Sequence, residues 1–444
     1  MVYPDPSSRS AQLYARASQV MAGGSTRLTT WQAPYPIYAA SGSGCRIRDV
    51  DGVERIDFLN NYMTLIHGHA HPEIVAAVQE QAARGLSFAM PTENEVMLAE
   101  LLCGRVKSFE QIRFCNSGSE AVMVAVKAAR AHNGRPMIAK CEGAYHGMFD
   151  PVEVSHDANP GNWGDVDAPA RTPYTRGLPE NVMRDVVVIP HNDVARSRHL
   201  LELNADRLAA VIIDPLPPRI GFVPATAEFL RMVREVCDRH DIVMISDEVA
   251  SFRIDYNGPQ HVHGFDADLT TMGKIIGGGM PVGAVAGKKA FMDVFNPTRG
   301  RPLASHGGTF NSNPMTMAAG YAAMRMMTPE AFARLATLGD RLAEGLRAAF
   351  RDANMEGQVT GAGSLWKIHM NNRRYTDYRS VHALPAERKR LDGLYRHLLN
   401  AGFVMGPTGL IALSTAMGEK EVDDFCGAVH EGLMGIRRAS GEAA

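Results

Sequence analysis

Thr271-Met272-Gly273-Lys274-Ile275-Ile276-Gly277-Gly278-Gly279-Met280-Pro281-Val282-Gly283 places one lysine at the end of a short apolar run and ahead of three consecutive glycines. Residues 270–273 predict a strand, and residues 283–287 a second one beyond the glycine turn. Solvation keeps most lysines outside, so a lysine set into the end of a buried strand has a desolvated amine. Desolvation lowers its pKa and leaves it free to attack a carbonyl, forming a Schiff base. Taken alone, a solvated loop lysine is the simpler reading. A Walker-type phosphate loop is excluded, because Lys274 precedes the glycines rather than following them.

Outward from this segment, residues 111–115, 136–141, 209–214 and 242–247 also predict strands. Several are continuous apolar runs, as expected for strands covered on both faces. Residues 120–132 and 227–239 predict helices between them. Strand–helix alternation points to an α/β fold with a mostly parallel sheet and helices on both sides. Before it, residues 45–50 and 54–58 flank Asp51-Gly52, a strong hairpin signal. After it, Thr328-Pro329-Glu330 starts a helix with proline at its first position. That helix runs to about residue 354. Strands near 364–370 and 411–414 and helices near 385–399 and from 419 then predict a smaller α+β unit. The expected division is 1–60 for an arm and hairpin belonging to the small domain, 61–325 for the large domain and 326–444 for the C-terminal domain.

The composition excludes several function classes. The chain has 444 residues and a net charge of −2, which supplies no electrostatic footprint for nucleic acid or an anionic membrane. Its 45% hydrophobic and 21% charged residues are those of a globular protein. Six scattered cysteines without a C-x-x-C pair predict free thiols in a reducing compartment. The N-terminal segment lacks the apolar core of a signal peptide, and no run has the length of a membrane span. A cytoplasmic location is the expectation.

Four more segments carry chemistry. Asn116-Ser117-Gly118-Ser119-Glu120-Ala121 follows a strand and opens a helix, where free backbone N–H groups and the helix dipole favour an anion. Ser117 and Glu120 have capping-box spacing. Asp247 in Ser246-Asp247-Glu248-Val249 ends a buried strand, at the sheet edge where open α/β folds bind ligands. Tyr145 in Ala144-Tyr145-His146-Gly147 offers a ring for stacking. Gly307-Gly308-Thr309-Phe310-Asn311-Ser312-Asn313 is a second turn suited to an oxyanion. A carbonyl-reactive amine, a carboxylate, a ring and two phosphate cradles are together the parts needed for pyridoxal phosphate.

These segments, in this order, resemble the class III pyridoxal-phosphate-dependent aminotransferases of fold type I. The resemblance runs from about Arg9 to Val429. It is nearest to the branch holding glutamate-1-semialdehyde aminomutase and the β-amino-acid transaminases. It rests on N-S-G-S-E-A at 116–121, Y-H-G at 145–147, D-E-V at 247–249, G-K-I-I-G-G-G-M-P-V-G-A at 273–284 and G-G-T-F-N-x-N at 307–313. It implies that Lys274 is the Schiff-base lysine and proton shuttle, and that Asp247 pairs with the pyridine nitrogen. Tyr145 and Val249 would cover the two ring faces. Gly118 and Ser119 would hold the phosphate, with Ser117 a less secure contact. Thr309 would reach the phosphate of the neighbouring subunit, making the active species a homodimer with shared sites. Relatives carry Glu-Pro where this chain has Asp214-Pro215, so the shorter Asp214 is the counterpart of a residue near the ring hydroxyl.

The implied activity is a ping-pong transfer between a β- or ω-amino acid, or an amine, and a keto acid; the alternative is glutamate-1-semialdehyde 2,1-aminomutase. Arg27, on the turn-rich arm Gly23-Gly24-Ser25-Thr26-Arg27, is expected to bind the substrate carboxylate, since a guanidinium offers a planar fork to it. The β-phenylalanine transaminases carry an arginine where this chain has Thr408, so that second carboxylate contact is missing or is supplied by Arg219. His67-x-His69-x-His71 resembles a family turn that holds no metal, and no metal is expected. Trp31, Met63 and Met148 are candidates for a pocket wall.

Overall fold

The computed structural model describes residues 2–440. Its centre is a seven-stranded sheet of β4 (Gln111–Cys115), β5 (Met137–Cys141), β6 (Val186–Ile189), β7 (Leu208–Ile213), β8 (Val243–Asp247), β9 (Leu269–Gly273) and β10 (Gly283–Gly287), in the order β4-β10-β9-β8-β7-β5-β6. β10 is antiparallel to both its neighbours; the other pairs are parallel. The α/β fold expected from the alternation is the observed one.

Every residue of β5 to β10 is buried, because helices cover both faces. Met137 and Ala139 join one apolar cluster while Ile138 joins the cluster on the other face, the period-two alternation of a strand. Each such Ile, Val or Met contributes about 1.5–3 kcal/mol on burial. Lys140 interrupts this pattern. Its Nζ donates to the Val154 carbonyl at 2.9 Å, and burial pulls its pKa down to about 7.

β1 (Ala39–Ser43), β2 (Arg46–Asp49) and β3 (Glu54–Asp57) form the hairpin sheet, completed by β13 (Phe403–Val404), which runs parallel to β3. β11 (Gln358–Ala362), β12 (Leu365–His369) and β14 (Leu410–Ala412) form an antiparallel sheet. The sequence reading passed over β6 in the central sheet and, in the flanking sheets, β1, β11 and β13. β1 holds no apolar alternation, and β13 is two residues long. Both exist because a neighbouring strand supplies the pairing. Helices Pro329–Asp352 and Glu419–Ser440 pack on each other. No helix among the described residues is long and apolar enough to cross a membrane.

Register decides where the chemistry gathers. Gly283 lies level with Cys115 on one side and Gly273 on the other, and Asp247 is paired with Thr271. The segments after β4, β8 and β9 therefore leave the sheet along one edge.

Candidate active site

Asp247 is the buried centre of that edge. Its Oδ2 accepts from His146 Nδ1 at 2.7 Å, and its Oδ1 accepts from Thr271 Oγ1 at 2.8 Å and from the Val249 N–H at 3.2 Å. A carboxylate held on both oxygens cannot rotate. Burial lowers the His146 pKa against the pull of Asp247, so the ring is neutral and its Nδ1–H donates. His146 Nε2 has no hydrogen-bond partner among the described residues.

Lys274 follows β9 with φ 49°, a left-handed conformation that side chains with a Cβ rarely adopt. Such strain persists where the surroundings enforce it and is concentrated at functional sites. The residue is half-buried. Burial lowers the pKa of its amine, while Asp247 and Asp214 act the other way. Asp214, at the end of β7, accepts from the Leu216 N–H at 2.9 Å. Burial raises its carboxyl well above the ordinary carboxylate range, and the Asp247 charge adds to this.

The anion cradle is the start of helix Gly118–Asn133. Ser117 caps it, accepting the Glu120 N–H at 3.2 Å. The expected capping box forms only half-way: Glu120 Oε2 accepts the N–H of Asn116, at 2.7 Å, rather than that of Ser117. The N–H groups of Gly118 and Ser119 have no acceptor among the described residues, as at any helix start without a ligand. Two glycines make the cradle compact. A Cβ on Gly118 would lie 2.7 Å from Val249 Cγ1, and one on Gly147 would lie 2.5 Å from Ser119 Oγ. Tyr145, two residues before Gly147, is exposed, with its ring 5.1 Å from that of His156.

Two expected site residues make no hydrogen bond to Asp247 or Lys274 among the described residues. Thr309 is exposed; its loop is tied to the cradle by Asn116 Nδ2 donating to Asn311 Oδ1 at 2.9 Å. Arg27 lines a cavity of about 510 Å³ with Trp31, Asn61, Tyr62, Leu65 and Gly279. Lys274 does not line it, although Gly279 of the same glycine turn does. Of the two candidate pocket methionines, Met63 is buried and Met148 is exposed. Among the described residues no cluster of ligands could hold a metal.

Sequence reasoning missed His146 and Thr271 as supports of Asp247. The signal for His146 lay in the Tyr145-His146-Gly147 segment, but its partner is far along the chain. It also missed residues Asn60–Met63, whose φ values of 51, 49, 53 and 73° describe one turn of left-handed helix without a glycine. Such a turn costs roughly 1–2 kcal/mol per residue and must be held from outside. Asn60 Nδ2 donates to the Ala412 carbonyl at 2.7 Å, and Arg253 Nη1 donates to the Met63 carbonyl at 2.7 Å. Arg253 is wholly buried, donates also to Ser364 Oγ at 3.0 Å and to the Leu413 carbonyl, and has no carboxylate partner among the described residues.

A desolvated amine, a fixed buried carboxylate and a helix-start anion cradle fit pyridoxal 5′-phosphate. The aminotransferase class III family model matches residues 28–417. The chain belongs to the class III aminotransferases. It is 51% identical to an omega-transaminase from Sphaerobacter thermophilus, with a TM-score of 0.96 over 98% of this chain and 99% of that one. It is 32% identical to a β-phenylalanine aminotransferase from Variovorax paradoxus, with a TM-score of 0.86 over 97% and 94%. A glutamate-1-semialdehyde 2,1-aminomutase of Methanothermobacter thermautotrophicus is 37% identical over 371 residues, 83% of this chain and 86% of that relative. As a member of this family the chain is a pyridoxal-phosphate-dependent transaminase of fold type I.

Proposed function

We propose that this transaminase moves an amino group between a β- or ω-amino acid, or an amine, and a keto acid in two half-reactions. The observation that carries the reading is the Lys274 amine, with its pKa lowered by burial, within electrostatic reach of Asp247 and Asp214 at the strand ends. Bound pyridoxal phosphate supplies an aldehyde and an electron-accepting ring. Lys274 Nζ would hold that aldehyde and, as a desolvated amine, would move the proton at the amine-bearing carbon. Asp247, oriented by His146 and Thr271, keeps a proton on the ring nitrogen. Gly118 and Ser119 bind the phosphate, with the Ser117 hydroxyl beside them. Tyr145 and Val249 would cover the ring faces, and Asp214 would serve the ring hydroxyl.

The substrate range rests on Arg27, which binds the carboxylate of an amino acid in the cavity it lines. Its similarity to an omega-transaminase and to a β-phenylalanine aminotransferase supports this range. The named relative at 37% identity favours a second reading, the aminomutase. An aminomutase needs no second substrate. Bleaching of the protein's visible absorbance by an amine, its return with a keto acid and the consumption of that acid are the results expected of a transaminase. Rearrangement of glutamate-1-semialdehyde with no keto acid consumed would favour the mutase.

Arg27→Ala is expected to weaken half-reactions of carboxylated donors by roughly 1.5–3 kcal/mol, the scale of a charged hydrogen bond, while largely sparing a phenylalkylamine. Equal loss on both would remove Arg27 from substrate binding.

The working unit of this proposal is a homodimer in which Thr309 completes the partner's phosphate site. Phe310 beside it is exposed, as are Leu86, Phe88 and Met90. The two loops are joined where Asn313 Nδ2 donates to the Leu86 carbonyl at 3.1 Å. Exposed apolar side chains on two joined loops support an interface here. Mixed dimers of Lys274→Ala and Thr309→Ala subunits should differ in activity from either parent. A fully active monomer bearing cofactor would defeat the shared site.

A further inference from the structure

The left-handed turn Asn60–Met63 presents Asn61 and Tyr62 together to the N-terminal arm. Asn61 Oδ1 accepts from Arg27 Nη1 at 2.8 Å. The Arg27 guanidinium carbon stands 5.8 Å from the centre of the Tyr62 ring, within cation–π range. The Tyr62 hydroxyl donates to the Thr29 carbonyl at 2.5 Å, which ties the arm to the turn directly. Two of the four residues of this strained turn thus touch one guanidinium.

The choice of partner is informative. Two carboxylates line the same cavity, and both are engaged: Asp49 with Arg55 at 2.6 Å, and Asp57 with His69 at 2.8 Å. Arg27 makes no ion pair among the described residues. A neutral amide orients the guanidinium through one N–H and leaves its charge and the rest of its donor fork uncompensated.

We infer that Asn61 is a positioning residue that holds Arg27 toward the cavity and sets the preference for carboxylated over uncharged amino donors. An amide directs the arginine without competing for it. A carboxylate at residue 61 would occupy the same fork that a substrate needs and would repel the substrate's charge. This inference rests on the reading of Arg27 as the carboxylate-binding residue.

The test uses two variants that fit a positive φ: Asn61→Gly, which removes the side chain where glycine is at ease, and Asn61→Asp, an isostere that also tolerates this region. Single half-reactions of the cofactor-loaded protein are followed by loss of visible absorbance, with an aryl β-amino acid and with the phenylalkylamine of the same aryl group. For the β-amino acid, Asn61→Gly should raise the apparent Kd about tenfold with little change in the limiting rate, the scale of one hydrogen bond to a charged group. Asn61→Asp should raise it further. The phenylalkylamine should change by less than about threefold in either, since no charged contact is lost. A thermal double-mutant cycle of Arg27→Ala and Asn61→Gly, run without substrate, should show non-additivity, because the two side chains touch.

If Arg27→Ala is selective for the β-amino acid but neither Asn61 variant is, the inference falls and the role of Arg27 stands. If Arg27→Ala is not selective, both fall. Additive thermal shifts, or equal losses on the two donors in the Asn61 variants, would also overturn it.

Discussion

Lys274→Ala should abolish turnover, a loss of at least about 10⁴-fold, since in the proposed mechanism one amine serves as both covalent anchor and proton carrier. The fold should survive. Lys274 Nζ has no hydrogen-bond partner among the described residues, so truncation deletes no native hydrogen bond. Alanine meets the same left-handed backbone penalty at φ 49° that lysine already bears. The variant should also lack a pH-dependent increment of stability. Burial lowers the folded-state pKa of the amine, so between that value and the unfolded value of about 10.4 the unfolded chain binds more protons. Stability of the cofactor-free wild type therefore rises with pH through that window, and the alanine variant should not share the rise. Gel filtration after cofactor loading should show that the variant no longer retains pyridoxal phosphate covalently. Repeated turnover by the variant without an added amine would assign the chemistry to another residue.

The second large effect is expected at Asp247. Asp247→Asn keeps the shape and an oxygen to accept from Thr271, but loses the charge that is proposed to hold a proton on the ring nitrogen. Preorganised electrostatic contacts of this kind are worth about 2.7–4 kcal/mol, or roughly 10²–10³ in rate. The amide brings a further mismatch. An N–H₂ group turned toward His146 would face the Nδ1–H that now donates to Oδ2 at 2.7 Å, forcing the imidazole to its other tautomer or the pair apart. Single-turnover rates should fall by that factor while the phosphate cradle at Gly118 and Ser119 still binds cofactor. A near-normal rate would show that the charge at residue 247 does not assist the chemistry.

Part of the site was legible because its signals are local. A lysine ahead of three glycines, a Ser-Gly-Ser at a helix start and an acidic residue ending an apolar strand each report their setting within a few residues. The cradle shows the limit of such signals. Ser117 and Glu120 have capping-box spacing, yet the carboxylate reaches the Asn116 N–H, a choice of one residue decided by side-chain geometry. Arg27 shows another limit. Its arm was identified from the sequence, but the partners that hold it, Asn61 and Tyr62, sit more than thirty residues away.

The sequence by itself determined the α/β fold and the strand ends that carry Asp247 and Lys274, because strand alternation, helix starts and glycine-rich turns are short-range consequences of residue type; the family was read from the resemblance of five motifs. Only the tertiary structure decided that His146 and Thr271 fix Asp247, that β13 completes the hairpin sheet, and that Asn60–Met63 and Lys274 take left-handed backbones. His146 and Asp247 are 101 residues apart, and no local pattern encodes such a contact. Positive φ at asparagine, tyrosine, methionine and lysine opposes local preference; it persists only where packing and hydrogen bonds from distant segments, such as those of Arg253 and Ala412, outweigh its cost.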